Sequence, residues 1–191
     1  MGRIETRKKI LEGAFECFST SDFHDVKMIE IARQAGVGKG TVYEYFESKE
    51  ELYYQLFNFM LETYLQEMED VAALKIPVKE RIVALYEKQI RFSEEMRDTG
   101  KGMRMMEQMW IMKRDRPFKN IGESIMALFK KLIELGVKEG SIRENMPMQE
   151  MQMMLVIGLP ALCHTPFDEK MDPHGRASRY VEMIFDGIGI A

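Results

Sequence analysis

Between Met28 and Lys49 the sequence MIEIARQAGVGKGTVYEYFESK permits few arrangements. Met28, Ile31, Ala32 and Ala35 recur at three- and four-residue spacings, which puts them on one side of a short helix. Gly36-Val37-Gly38 then interrupts the pattern. Gly36 is the kind of residue that ends a helix with positive φ, and Val37 can plug the crease between two crossing helices. Lys39 to Phe46 reads as the next helix, with Val42 and Phe46 inward. Lys39, Gly40, Thr41, Tyr43, Glu44 and Tyr45 are left facing out or along the edge. Two short helices joined by a tight turn make a helix-turn-helix, and the second is sized for a DNA major groove.

Charge limits how such a motif can act. The net charge of −4 rules out a bulk polycation, so any nucleic-acid contact must use a local patch. The first fifty residues hold eight Lys/Arg against nine Asp/Glu, so placement matters more than the sum. Arg3, Lys39 and Lys49 sit near segments that can meet phosphates, whereas Glu12 and Glu16 lie on an outer face of the first helix. Cys17 and Cys163 are far apart and form neither a disulfide framework nor a zinc pattern, which fits a reducing cytoplasm. The start, MGRIETRKK, has no apolar core and reads as no signal peptide. Gly2 and Thr6 match a myristoylation signal only loosely, and an amphipathic helix explains the stretch better. The longest apolar run, Met153 to Cys163, falls short of the ~20 residues that span a bilayer and reads as a buried or interface helix.

The rest of the chain is helical in pattern. Ile4 to Ser19 has an inner stripe of Leu11, Ala14, Phe15 and Phe18, with Phe23 anchoring the following loop and Asp25 as expected N-cap of the second helix. Ser48 and Glu51 have capping-box spacing at the head of a long fourth helix, carried on by Leu52, Leu56, Phe59, Met60 and Tyr64 to about Val71. Pro77 marks a new start. Val78 to about Asp98 forms a fifth helix with Ile82, Leu85, Tyr86, Gln89 and Phe92 near one face. A methionine-rich sixth helix, Met103 to Lys113, carries Trp110. Pro117 opens a seventh with Ile121, Ile125, Leu128, Phe129, Leu132 and Leu135, ended by Gly136 to Gly140. Pro147 opens an eighth through Met151, Leu155, Leu159 and Leu162, with a kink expected at Pro160. Asp172-Pro173 pairs an N-cap with an N1 proline and starts a ninth, burying Tyr180, Val181, Ile184, Phe185 and Ile188. The expected fold is therefore all-α, of about nine helices. Residues 1–47 form a helix-turn-helix head and residues 48–191 a larger helical body.

Ala32…Gly36-Val37…Gly40-Thr41-Val42-Tyr43…Tyr45-Phe46…Lys49-Glu50…Leu52, after an N-terminal amphipathic helix and before a long fourth helix, resembles the TetR family of bacterial transcription regulators. The likeness covers about the first sixty residues; beyond them it is one of length and helical layout. The resemblance implies that Lys39 and Gly40 open the recognition helix against the DNA backbone, that Thr41 and Tyr43 touch bases or phosphates, and that Tyr45 lies close to phosphate. It also implies a phosphate contact for Lys49, helped by the fourth helix dipole. Two departures stand out. Val26-Lys27-Met28 replaces the usual hydroxyl residues at the entry to the second helix, so Lys27 is a candidate phosphate contact and Asp25 must supply the cap. Glu44, on the reading face, either accepts from a cytosine amino group or is simply solvated, and the solvated reading is favoured.

The likeness further implies a homodimer through the last two long helices, with Gly158, Ala161, Leu162, Val181, Phe185 and Ile188 as interface candidates. The implied function is that of a repressor released from a palindromic operator by a small effector. Methionine suggests what that effector is. Of 18 methionines, all but Met1 and Met28 lie beyond residue 59, and a pliable apolar pocket is one use for them besides ordinary core packing. Candidate pocket residues are Tyr64, Tyr86, Ile90, Met106, Met109, Trp110, Met126 and Phe129, and the effector is expected to be apolar or amphipathic. Glu107 is a thin hint of a cationic one. A copper-thioether site lacks a compact His or Cys partner, and Cys163, His164, Asp168 and His174 are too irregularly spaced for a metal, so neither metal nor cofactor is expected. Acidic pairs such as Glu50-Glu51 and Glu94-Glu95 read as solvated helix faces. With no nucleophile triad or nucleotide loop, no enzyme activity is expected. Two rivals remain open: an all-α enzyme or carrier with a vestigial head, and an architectural or activating DNA-binding protein with no effector.

Overall fold

The computed structural model describes residues 2–98, 118–164 and 171–188. Eight helices and no strand occur among them. They are α1 (Arg3–Thr20), α2 (Met28–Gln34), α3 (Lys39–Tyr45), α4 (Lys49–Ala72), α5 (Val78–Asp98), α6 (Phe118–Glu139), α7 (Met148–His164) and α8 (Pro173–Ile188). The expected helix over Met103 to Lys113 lies outside the described residues. Met1–Thr63 belongs to one compact unit, and Tyr64–Glu95 with Pro117–Ala191 to another.

The first unit is built on the apolar faces that helical spacing assigns. Ile10, Leu11, Ala14 and Phe18 of α1 pack with Met28, Ile31 and Ala32 of α2, Val42 of α3, and Phe46. Leu52, Tyr53, Leu56 and Phe57 of α4 complete the same core, so the start of the fourth helix is part of the head. Phe23 anchors its loop as expected. Its ring stacks on Phe18 at 5.7 Å and meets Tyr53 edge-on at 5.3 Å, while Phe18 and Tyr53 form a T-shaped pair at 4.7 Å. Burying each of these rings contributes on the order of 1.5–3 kcal/mol. The Tyr53 phenol is pushed well above its ordinary pKa by burial.

The second unit has its own core. Met68 and Ala72 from α4 join Val78, Ile82, Leu85, Tyr86 and Ile90 of α5 with Leu128, Phe129, Leu132 and Ile133 of α6. Met151, Leu155 and Leu159 of α7 and Ala177, Val181, Ile184 and Phe185 of α8 complete it. Glu139 at the end of α6 accepts a hydrogen bond from the Val78 N–H at 3.0 Å and so caps α5. Asp172 caps α8, its carboxylate accepting the Gly175 N–H at 2.8 Å. Polar side chains tie α5 to α8: His174 meets Glu87 at 2.7 Å, and Arg176 pairs with Glu94. Burial raises the Glu87 pKa, but hydrogen bonds from His174 and Arg91 outweigh it and hold the carboxyl below its usual range. His174 thus has an ion-pair partner of its own.

Two residues differ from the sequence expectation. Phe92 and Leu135 are exposed. Leu135 lies at the edge of the α6 stripe, beyond Leu128, while Ile133 and Gly136 are buried.

Candidate nucleic-acid interface

The turn between α2 and α3 is closed by backbone geometry that only certain residues allow. Gly36 has φ +67°, in the left-handed region that a side chain disfavours. The Gly36 N–H bonds to Arg33 O at 3.2 Å and the Val37 N–H to Ala32 O at 3.0 Å, a Schellman motif that satisfies the last carbonyls of α2. Val37 packs against the head core from this turn. A second glycine, unnoticed in the sequence, fixes how α1 crosses the same turn. A Cβ at Gly13 would stand 2.8 Å from Ala35 N and 3.1 Å from Ala35 Cα, so α1 passes α2 closer than any side chain permits. A glycine inside an otherwise apolar-periodic helix was the available signal.

With Val42 and Phe46 buried, α3 turns its remaining residues outward. Lys39, Gly40, Tyr43 and Glu44 are exposed, and Thr41 and Tyr45 are half-buried. Tyr43 is 47% exposed, with Lys39 Nζ 5.8 Å from its ring centroid. Gly40 has no neighbour within 4 Å of a would-be Cβ, so the backbone of the first turn of α3 lies open. Of these, Lys39 and Tyr43 line an open groove of about 570 Å³ together with Lys27, Lys49, His24, Ile29, Glu47 and Ser48. Three cations against one carboxylate make this a local positive patch on a chain of net negative charge, suited to an anion at short range. Arg3 lies over the Tyr45 ring at 6.0 Å and Arg7 over Phe46 at 5.8 Å. Sequence reasoning had not assigned Ile29 or His24 to this face. Ile29 is an apolar residue next to the buried stripe of α2, and its exposure follows only from the packing.

Two caps are arranged otherwise than expected. Asp25 does not cap α2. Its N–H closes a turn onto Asp22 O at 3.0 Å, and Lys27, in extended conformation, is the N-cap, its N–H held by the Glu30 carboxylate at 2.9 Å. At α4 the Ser48 hydroxyl accepts the Glu51 N–H at 3.1 Å, but the Glu51 carboxylate reaches back to the Glu47 N–H at 2.7 Å, one residue beyond a regular capping box. Lys49 differs most from the role implied by resemblance. Its Nζ donates to the carbonyls of Phe23 at 2.6 Å, His24 at 3.2 Å and Val26 at 2.9 Å, and lies 4.5 Å from the Phe23 ring centroid. An ammonium has three N–H donors, and all three are engaged.

The expected effector residues fall into three groups. Tyr86, Ile90 and Phe129 are buried in the core of the second unit. The Tyr86 hydroxyl donates to Leu155 O at 2.6 Å, and burial, with Tyr180 nearby, pushes the phenol well above its ordinary pKa. Tyr64 and Met126 are half-buried, Tyr64 hydrogen-bonding Gln89. Met106, Met109 and Trp110 lie outside the described residues. The expected interface residues also divide. Val181 and Phe185 face the core of their own protomer. Gly158 is covered by Tyr180 of the same chain, which would stand 2.3 Å from an added Cβ. The side chains of Ala161, Leu162 and Ile188 lie outside the described residues. The apolar residues left on the surface of α7 and α8 are instead Met153 and Ile157, each 56% exposed, Met154, and Met183 at 62%. The candidates Val181 and Phe185 thus lie on the inner face, and further apolar residues stay exposed beside it.

Comparison with known proteins agrees with the head. Residues 10–56 match the family model for bacterial regulatory proteins of the tetR family. Over 172 residues the chain is 26% identical to the uncharacterized HTH-type transcriptional regulator YhgD of Bacillus subtilis, covering 87% of this chain and 90% of that one. It is 21% identical to the fatty acid metabolism regulator protein of B. subtilis over 182 residues, 94% of each chain. The crystal structure of the transcriptional regulator FadR from B. subtilis in complex with stearoyl-CoA superposes with a TM-score of 0.65 at 21% identity, covering 95% of this chain and 98% of that one. With the helix-turn-helix, its open basic groove and these likenesses together, residues 10–56 form a head of the tetR family of bacterial regulatory proteins.

Proposed function

We propose that this regulator is a homodimeric repressor that binds a palindromic operator and leaves it when an amphipathic small molecule binds the body. The observation that carries the DNA-binding part is the outward face of α3: Lys39 and Tyr43 line the lysine-rich groove, Gly40 is exposed beside them, and Val42 and Phe46 are buried beneath. In this reading Lys27 and Lys39 meet phosphates, and the open backbone at Gly40 lets α3 approach the strand. Tyr43 and Thr41 reach base edges or phosphates, and Tyr45 with Arg3 flanks the far end. The exposed apolar residues of α7 and α8 are the dimer face. A twofold dimer sets two recognition helices about one DNA turn apart, ~34 Å, and so reads a palindrome.

The effector class rests on the body. Tyr64, which packs against its core, and Met126 are half-buried, and these two are proposed to meet the effector. The structural relative that holds stearoyl-CoA makes long-chain acyl-CoA the first ligand to try. One helix, α4, contributes Leu52 and Leu56 to the head core and Met68 and Ala72 to the body core. A ligand that binds the DNA-incompetent form more tightly shifts the population by that difference in affinity. The site of action is the cytoplasm. Among the described residues no helix is long and apolar enough to cross a membrane.

Footprinting on the DNA upstream of the protein's own gene, with and without stearoyl-CoA, tests this reading. It expects a salt-sensitive, inverted-repeat footprint that stearoyl-CoA erases. Protection that persists at saturating acyl-CoA would remove that effector class, and no protection at low salt would remove the regulator reading.

A further inference from the structure

We infer that Lys49 is a positioning latch that fastens the first turn of α4 to the loop before α2, and that it is not a phosphate contact. The inference rests on the DNA-binding reading above. Lys49 is the first residue of α4, where the positive end of the helix dipole disfavours a cation. What compensates there is a basket of three carbonyls, Phe23, His24 and Val26, closed from one side by the Phe23 ring. The basket spans one short stretch of loop, and Lys27, the N-cap of α2 and a wall of the groove, follows it directly. Phe23 is itself clamped between Phe18 and Tyr53, so the loop is held by ring packing within and by the ammonium at its rim. A compact ammonium directs three N–H bonds to three convergent acceptors, whereas the planar fork of a guanidinium does not. The latch therefore sets where α2 and Lys27 stand when α3 enters the groove. Without it the loop loosens and the register of the head on a specific site blurs, while the number of phosphates neutralised stays the same.

Two measurements test this. The first uses the free wild-type protein: the Lys49 ammonium, seen by ¹⁵N NMR, is expected to exchange its protons at least tenfold more slowly than the ammonium of Lys39. Equal rates would overturn the latch, whatever the DNA result. The second compares wild type with Lys49→Met and Lys49→Arg on a mixed-sequence 30-bp duplex and on a duplex enriched from a random library by the wild-type protein. Both variants are expected to lose about tenfold in the ratio of specific to non-specific affinity, with the salt slope on the mixed duplex unchanged. A phosphate contact predicts instead a slope shallower by about 0.9 in Lys49→Met and a rescued Lys49→Arg, and would overturn the proposal. A lowered melting temperature with an unchanged affinity ratio marks mere structural support and overturns it too. Failure of the wild-type protein to enrich any sequence speaks against the regulator reading, and the ammonium exchange still decides the latch.

Discussion

Gly40→Ala separates what the fold needs from what DNA needs. Gly40 is the second residue of α3, and a Cβ added there meets nothing within 4 Å. It is also absent from the positive-φ glycines, so alanine fits its backbone without strain. Replacing glycine by alanine in a helix gains up to ~1 kcal/mol, and rather less in a first turn. For a chain of this length that raises Tm by about 1–3 °C. Alone, then, the substitution should make a better protein. On DNA the same methyl group points into the space that a sugar-phosphate strand is proposed to occupy. Pushing the strand away by the width of a methyl lengthens the neighbouring charge-assisted contacts of Lys39, and a loss of about tenfold in affinity, ~1.4 kcal/mol, is expected. Thermal melting beside fluorescence-anisotropy titration on a selected duplex reads both effects in one preparation. A variant that melts higher yet binds as tightly as wild type would refute the placement of the first turn of α3 against the backbone.

Gly13→Ala should act the other way. Its methyl would overlap the Ala35 backbone at 2.8 Å, costing about 1–3 kcal/mol against a helix-propensity gain of up to ~1 kcal/mol, so Tm falls by a few degrees. An unchanged Tm would mean that α1 and α2 part freely. Ile157→Glu places a charge among exposed apolar residues of α7, and sedimentation should show association weakened by at least tenfold while the circular dichroism of the fold is kept. A dimer of unaltered stability would move the interface elsewhere. The depressed pKa of Glu87 means that its contribution to stability is present above its ordinary value of 4.5 and is lost as pH falls through the lower folded value. Denaturant midpoints of wild type should therefore drop more steeply than those of Glu87→Gln below about pH 4.5, and parallel curves would contradict the His174 and Arg91 hydrogen bonds.

Much of the head could be read from residue spacing, because one apolar face and one glycine leave little choice. Leu11, Ala14, Phe18, Ile31, Ala32, Val42 and Phe46 are buried as their spacing implies, and Gly36 takes the positive φ expected of it. What could not be read depends on groups far apart in sequence or on which of two similar faces wins. Lys49 finds its acceptors more than twenty residues back, and no local pattern announces that. Asp25 carries the familiar sign of an N-cap, a carboxylate just before a helix, yet it does not cap α2. Here the Glu30 carboxylate inside the helix accepts the Lys27 N–H, the return half of a capping box without the Ser or Thr that makes the other half. On α7 and α8 two apolar stripes run side by side. Periodicity identifies them both, but only packing decides that Val181 and Phe185 go inward and Met183 stays out. The family resemblance carried the function further than spacing alone, since groove, operator and effector all concern partners that the chain does not encode.

The sharing of α4 between two cores bears on how the protein can be cut. A fragment ending at residue 47 would keep three helices but lose Leu52, Tyr53, Leu56 and Phe57, which wall one side of their core. Tyr53 alone closes two of the aromatic contacts around Phe18 and Phe23. A domain of about sixty residues is already near the lower limit at which a single core holds without a disulfide or metal, and forty-seven falls well short of it in buried area. A fragment that keeps this core is therefore expected to need α4 at least through Phe57, the same helix that supplies Met68 and Ala72 to the second core.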